Sequence, residues 1–175
     1  MVWRAGLSLL IVDIPPNIVD ELLPGDCLVY RPSGIFGWIT AIKTWTRAAH
    51  VEAYFGRGWS VASRNGIGVN FFPFRNKGLA RVLRPKQPFD MPQAMRWFHA
   101  SAKGQKYDWL GLLCFTLAVR SGDALKMFCS EFLTRWYRSG GFQPFSIEQD
   151  ADRVAPAQFV QSAEFTSVWS DKEPL

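Results

Sequence analysis

The feature that most constrains this chain is a pair of short apolar segments joined by a glycine-bounded turn. His50-Val51-Glu52-Ala53-Tyr54-Phe55 runs into Gly56-Arg57-Gly58 and then into Trp59-Ser60-Val61-Ala62-Ser63. β-Branched and aromatic residues on either side of such a turn predict a β-hairpin. An isolated hairpin is marginal in water, so this one needs further strands beside it and a layer over its apolar face.

The neighbouring sequence supplies both. Leu22–Arg31 reads LLPGDCLVYR, a Pro-Gly turn feeding a short strand. Gly66 and Gly68 mark a turn before a strand over Val69–Phe72, and Leu79–Arg84 reads as a further strand closed by Pro85. After that the pattern turns helical. Helices are predicted over Pro92–Ala102, ended by Gly104, over Tyr107–Val119, over Cys129–Arg138, ended by Gly140-Gly141, and over Pro156–Ser162. An earlier helix is expected over Phe36–Thr46, where Phe36, Ile39, Ile42 and Trp45 fall at helical spacing. Strands first and helices second predict an α+β fold, with a small antiparallel sheet or partial barrel packed against helices. We read residues 1–175 as a single domain, with 1–20 as an N-terminal arm or strand and 164–175 as a peripheral tail.

At 175 residues and 48% hydrophobic content the chain can bury one sizeable core, and 20% charged residues is too few for disorder. The net charge of +5 favours anionic partners, but Lys and Arg are scattered and never run to five in a row. No dedicated nucleic-acid site is therefore expected. No stretch reaches membrane-spanning length. The apolar run Gly6–Ile14 is broken by Asp13, Pro15 and Pro16, and it does not read as a secretion signal. A cytoplasmic protein, or one carried by a phage particle, is the expectation.

Three cysteines, Cys27, Cys114 and Cys129, are too few and too widely spaced for a disulfide framework, and with only two histidines and no CxxC pair no metal site or cofactor is expected. Cys27 and Cys114 sit in apolar runs and read as buried small hydrophobes. Cys129 opens a predicted helix, where free backbone N–H groups and the helix dipole favour a thiolate and offer donors to an oxyanion. A thiolate nucleophile needs an imidazole beside it. His99 lies on a predicted helix without a polar neighbour, whereas His50 opens a strand and is followed two residues later by Glu52, which shares its face and can orient its ring. Asp26 reads as turn chemistry after Pro24-Gly25, and Arg64-Asn65-Gly66 as a turn or a substrate-contacting loop.

Five segments together resemble the circularly permuted branch of the NlpC/P60 superfamily of papain-like enzymes. They are Leu23-Pro24-Gly25-Asp26-Cys27-Leu28-Val29, Ala49-His50-Val51-Glu52-Ala53-Tyr54-Phe55-Gly56, Trp59-Ser60-Val61-Ala62-Ser63, Gly104-Gln105-Lys106-Tyr107-Asp108-Trp109 and Phe128-Cys129-Ser130-Glu131-Phe132. The His strand precedes the Cys helix here, the reverse of ordinary members, and a triad is defined by geometry rather than chain order.

The resemblance implies Cys129 as nucleophile, His50 as base and Tyr107 as a substrate-binding residue lining the site. Ordinary members often take the third polar residue from the strand after the His strand. The matching position here is close to Val61, which cannot orient an imidazole, so the role is assigned to Glu52, with Ser60 or Ser63 as alternatives if the register differs by one.

The implied activity is a cysteine peptidase or amidase cleaving an amide, with a peptidoglycan peptide as substrate. Two alternatives stand beside it. One is an acyl hydrolase or transferase on lipid esters or amides, for which Trp38, Trp45, Trp109 and Phe115 would supply apolar flanks. The other is a phage virion or tail component with assembly partners, using the fold structurally or for cell-wall penetration.

Overall fold

The computed structural model describes residues 18–33, 46–107, 127–171 and 175. The helices expected over 36–46 and 107–119 lie outside the described residues apart from Thr46 and Tyr107, as do Cys114, Trp38, Trp45, Trp109 and Phe115.

A four-residue helix, α1 (Ile18–Glu21), leads into strand β1 (Cys27–Tyr30). Strands β2 (His50–Gly56), β3 (Trp59–Arg64), β4 (Gly68–Pro73) and β5 (Leu79–Pro85) follow. Then come helix α2 (Met91–Trp97) running into a π-helical turn (Phe98–Ala102), helix α3 (Cys129–Ser139), a 3₁₀ turn (Ala151–Arg153), helix α4 (Pro156–Gln161) and strand β6 (Phe165–Ser170). The six strands form one antiparallel sheet in the order β4-β3-β2-β1-β5-β6. This is a mixed α+β architecture built on an antiparallel sheet that is not a closed barrel among the described residues, with β4 and β6 at its edges.

Of the expected N-terminal arm or strand over 1–20, only Ile18–Asp20 are described, and they belong to α1, with Ile18 buried against the sheet. One expectation about the other end is corrected. The region from 164 onwards is not peripheral over Phe165–Ser170. That segment, rich in β-branched and aromatic residues, pairs with β5, and Phe165 is buried against the rings of Tyr137 and Phe142. The end of the strand is pinned by Asp171, whose carboxylate accepts from Nη2 of Arg31 at 2.8 Å.

The predicted hairpin is β2–β3. Gly56 pairs with Trp59 across Arg57 and Gly58, both at positive φ (52° and 75°), the geometry whose twist matches that of the flanking strands. The pairing then shifts by one, with Tyr54 opposite Ser60 and Ala53 opposite Val61, so a bulge lies between Tyr54 and Gly56. Helix α2 starts where the sequence signals it, with the Asp90 carboxylate accepting from the Gln93 amide at 2.8 Å and proline in the first turn.

The sheet buries residues on both faces. One face carries Cys27, Val29, Val51, Ala53, Val61 and Val69 and packs on Phe98, Phe132, Leu133, Trp136 and Tyr137. The other carries Leu28, Tyr30, Tyr54 and Val82, which pack with Ile18, Leu22, Phe74 and Trp169. Helix α3 is buried at eight of its positions, Cys129 to Thr134 with Trp136 and Tyr137, which makes it the centre of the helical layer. Each fully buried Phe or Leu there contributes about 1.5–3 kcal/mol of transfer free energy.

One glycine ties a loop to this frame. Gly68 has φ 89°, and a Cβ there would sit 2.0 Å from the carbonyl oxygen of Gln105. The backbone after the π turn runs against β4, with Val69 donating to Gln105 at 2.8 Å and Gly104 donating to Val69 at 2.9 Å. Among the described residues no helix is long and apolar enough to cross a membrane.

Candidate active site

The start of α3 places Cys129. Phe128 is extended and offers no side-chain cap, so the first turn keeps its amides directed at what lies before the helix. Three bonds anchor this end. Ser130 Oγ donates to the Val154 carbonyl at 2.5 Å, Ser63 Oγ donates to the Met127 carbonyl at 2.5 Å, and the Met127 amide donates to the Lys106 carbonyl at 3.2 Å. At the far end Tyr137 OH donates to the Gly25 carbonyl at 2.8 Å, fixing the helix to the turn before β1.

His50 begins β2, opposite Tyr30, with the two rings 6.0 Å apart. Its Nε2 lies 2.9 Å from Oε1 of Glu52. With that nitrogen engaged, Nδ1 is the ring atom left for the Cys129 side chain, with which His50 shares a hydrogen bond. The Cys129 sulfur also accepts from the backbone amides of Val51 and Ser130. Cys129 therefore meets β2 at its first two residues, while Glu52 holds the ring from the other side.

Glu52 is fully buried and both of its oxygens are engaged. Oε1 accepts from His50 and from Arg64 Nε at 2.8 Å. Oε2 accepts from Arg64 Nη2 at 2.9 Å and from Ser60 Oγ at 2.6 Å. Arg75 adds a longer ion pair to Oε1 at 3.7 Å. This is a carboxylate held ionised by its partners, not a surface carboxylate on a half-exposed strand.

The protonation energetics follow from these contacts. Burial pushes the Glu52 carboxyl up, but the hydrogen bond and charge of His50 and then those of Arg64 hold it well below the usual carboxylate range. Burial pushes the His50 imidazole down, and the Cys129 thiolate and Glu52 together more than reverse this, raising it to about 9. Burial also opposes ionisation of Cys129. The charge and hydrogen bond of His50, with the Val51 and Ser130 amides, outweigh it and lower the thiol. A raised imidazole facing a lowered thiol favours a thiolate–imidazolium pair at neutral pH.

The other expected residues are placed as follows. Val61 is fully buried opposite Ala53 on the helix side of the sheet, away from the imidazole. Ser60 reaches Glu52, not the imidazole. Ser63 is occupied by Met127. Tyr107 is half-buried and directly follows Lys106, whose carbonyl binds the Met127 amide two residues before Cys129. His99 is exposed. Asp26 closes its turn by accepting from the Leu23 amide at 2.8 Å and forms a two-point ion pair with Arg84, at 2.8 Å for each bond. Cys27 is fully buried, and burial pushes its thiol well up, as befits a core residue.

Arg64 was not singled out by the sequence for the role its position gives it. The observed register sets Glu52 across from Ala62, so Ser60 and Arg64 are its diagonal neighbours on the same face. The signal was present in the hairpin, but it is readable only once the bulge is known.

No family model matches this chain, and no curated protein matches it. Its fold is similar to that of the metalloprotein YiiX from Escherichia coli O157:H7, a DUF1105 protein. That crystal structure superposes with a TM-score of 0.62 at 14% identity, covering 85% of this chain and 97% of that one. At this identity the similarity concerns the fold. No group of three or more His, Cys, Asp and Glu residues among the described residues could hold a metal ion. Among the described residues, the carboxylate beside His50, that of Glu52, is already committed to Arg64, Ser60 and the imidazole. The described residues thus do not fit a metal centre.

Proposed function

We propose that this chain is a cysteine hydrolase of the circularly permuted NlpC/P60, papain-like kind, acting on an amide bond, with a peptidoglycan peptide as the substrate class. The observation that carries this reading is His50 held between Cys129 and Glu52, with the thiol lowered and the imidazole raised.

In the reaction, the Cys129 thiolate attacks the carbonyl carbon and forms a C–S bond, while the carbonyl electrons move onto oxygen. The backbone amide of Cys129, in the first turn of α3, is the proposed donor to that oxyanion. Imidazolium His50 gives its proton to the leaving nitrogen as the C–N bond breaks, which leaves a thioester on Cys129. Neutral His50 then takes a proton from water, whose oxygen attacks the thioester. The acid product departs, and the thiolate–imidazolium pair is restored. Glu52 stays ionised throughout and orients the ring. Tyr107 is the proposed substrate contact beside this centre.

The test has two parts. The rate of Cys129 alkylation by iodoacetamide is followed against pH in the parent and in His50→Ala. A thiolate population persisting below about pH 7, against about 8.5 for a free cysteine, and lost in the variant supports the pair. Turnover of a peptidoglycan stem-peptide fragment and of a fatty-acyl ester is then compared in the parent and Cys129→Ala. Cleavage of the peptide that depends on Cys129 supports the substrate class, and cleavage of the ester alone moves the assignment to lipid acyl chemistry. An ordinary thiol titration sinks the enzymatic reading and favours a virion or assembly role.

A further inference from the structure

We infer that Arg64 is a positioning residue: its guanidinium fork fixes the plane of the Glu52 carboxylate toward His50, and its charge sets the pH range over which Cys129 and His50 form an ion pair. This rests on the reading of Cys129 and His50 as a reactive pair.

The geometry is specific to Arg64. A carboxylate rotates broadly about its terminal torsion, and without Arg64 its plane would rest on one short contact at each oxygen, His50 at Oε1 and Ser60 at Oε2. Two parallel bonds from Arg64, Nε to Oε1 at 2.8 Å and Nη2 to Oε2 at 2.9 Å, remove that freedom. Arg64 is itself restrained, because its guanidinium carbon lies 4.2 Å from the centroid of the Phe72 ring. Arg75 does not duplicate this. Its side chain is 42% exposed, and its ion pair with Oε1 is long, at 3.7 Å.

Among the described residues few charges face the cluster, and Cys27 on β1, which also feels Cys129, is kept neutral by burial. Strand β2 supplies His50 and Glu52, β3 supplies Arg64, the segment after β4 supplies Arg75, and α3 supplies Cys129. Tyr30 on β1 is neutral, since burial and then Glu52 push its hydroxyl well up, and Ser60 carries no charge. One half-buried cation fewer beside Glu52 raises both the thiol and the imidazole, so the whole ion-pair range moves to higher pH. Neutralising Glu52 removes an anion and moves the range the other way.

The experiment follows Cys129 alkylation by iodoacetamide against pH, and the His50 ring proton by NMR, in the parent, Arg64→Gln, Arg64→Lys and Glu52→Gln. In Arg64→Gln the expected result is about a three- to tenfold loss of rate at pH 5.5 but less than about twofold at pH 8, with the His50 titration moved upward. Glu52→Gln is expected to move the His50 titration downward. Arg64→Lys keeps the charge but not the fork, so its range stays within about 0.3 pH unit of the parent while its plateau rate drops severalfold. Equal loss at every pH in Arg64→Gln, or shifts of the same sign in Arg64→Gln and Glu52→Gln, would overturn the inference. So would an unchanged plateau in Arg64→Lys, which stands as a separate test if the Gln variant does not fold. A parent thiol that titrates near 8.5 instead overturns the reactive pair itself.

Discussion

Nε2 of His50 lies 2.9 Å from Oε1 of Glu52, two residues along the same strand. Alternate residues of a strand share a face, so β2 carries both the base and the group that orients it. The nucleophile arrives from another layer, at the first turn of α3, where the Val51 and Ser130 amides meet its sulfur. The site is therefore a junction between one strand and one helix end, and its chemistry depends on how the two are held.

Glu52→Gln should cost about 3–5 kcal/mol at neutral pH, because it leaves Arg64 without its buried counter-charge. The folded carboxyl lies below its ordinary value, so its contribution is present above the unfolded pKa of about 4.3 and is lost as pH falls through the lower folded value. Urea midpoints of parent and variant should differ most at pH 6–7 and converge in acid. A difference that persists unchanged into acid would contradict the assignment.

Replacing Cys129 by Ala should lower the His50 titration from about 9 by about one unit or more. Among the influences that raise the imidazole, the thiolate charge is the largest, ahead of Glu52. The ring-proton NMR titration reads this directly, and an unmoved His50 would mean that the sulfur carries no charge.

Gly68→Ala should destabilise the chain by more than about 1–2 kcal/mol, the cost of a left-handed alanine alone, since its Cβ would also collide with the Gln105 carbonyl. The displaced backbone continues to Lys106, whose carbonyl holds Met127. Hydrogen exchange at the Met127 amide should accelerate along with the loss of stability. Faster exchange is the part that a purely local strain would not produce.

Tyr137→Phe should cost about 1–3 kcal/mol, because it leaves the Gly25 carbonyl unpaired while keeping the ring among Phe142, Phe159 and Phe165. Thermal unfolding measures it. The pH dependence of Cys129 alkylation should stay the same, which separates helix anchoring from site electrostatics.

Much of the frame was legible in the sequence because it is local. The Gly56–Gly58 turn, the strand from Leu79, the proline-started helix at Met91 and the glycine-ended helix at Cys129 each follow from backbone preferences of a few residues. His50 and Glu52 fall two apart on a strand, so their shared face also follows from the order of residues alone. Phe165–Ser170, expected as a tail, carries β-branched and aromatic residues, but its partner strand lies some eighty positions earlier with no tight turn between them, so the pairing is not visible locally.

What the sequence by itself determined is the strand that carries base and orienter and the helix that opens on Cys129. What only the tertiary structure decided is which residues surround Glu52. A two-residue loop continued without interruption would have placed Ser63 across from Glu52. The bulge between Tyr54 and Gly56 slips the pairing by one residue, so Ser60 and Arg64 turn toward the carboxylate and Ser63 turns toward α3. The side-chain period of a strand is two, and a slip of one exchanges its faces. That exchange is fixed by the packing of Val61 and Ser63 beneath the helix, which no short stretch of sequence contains.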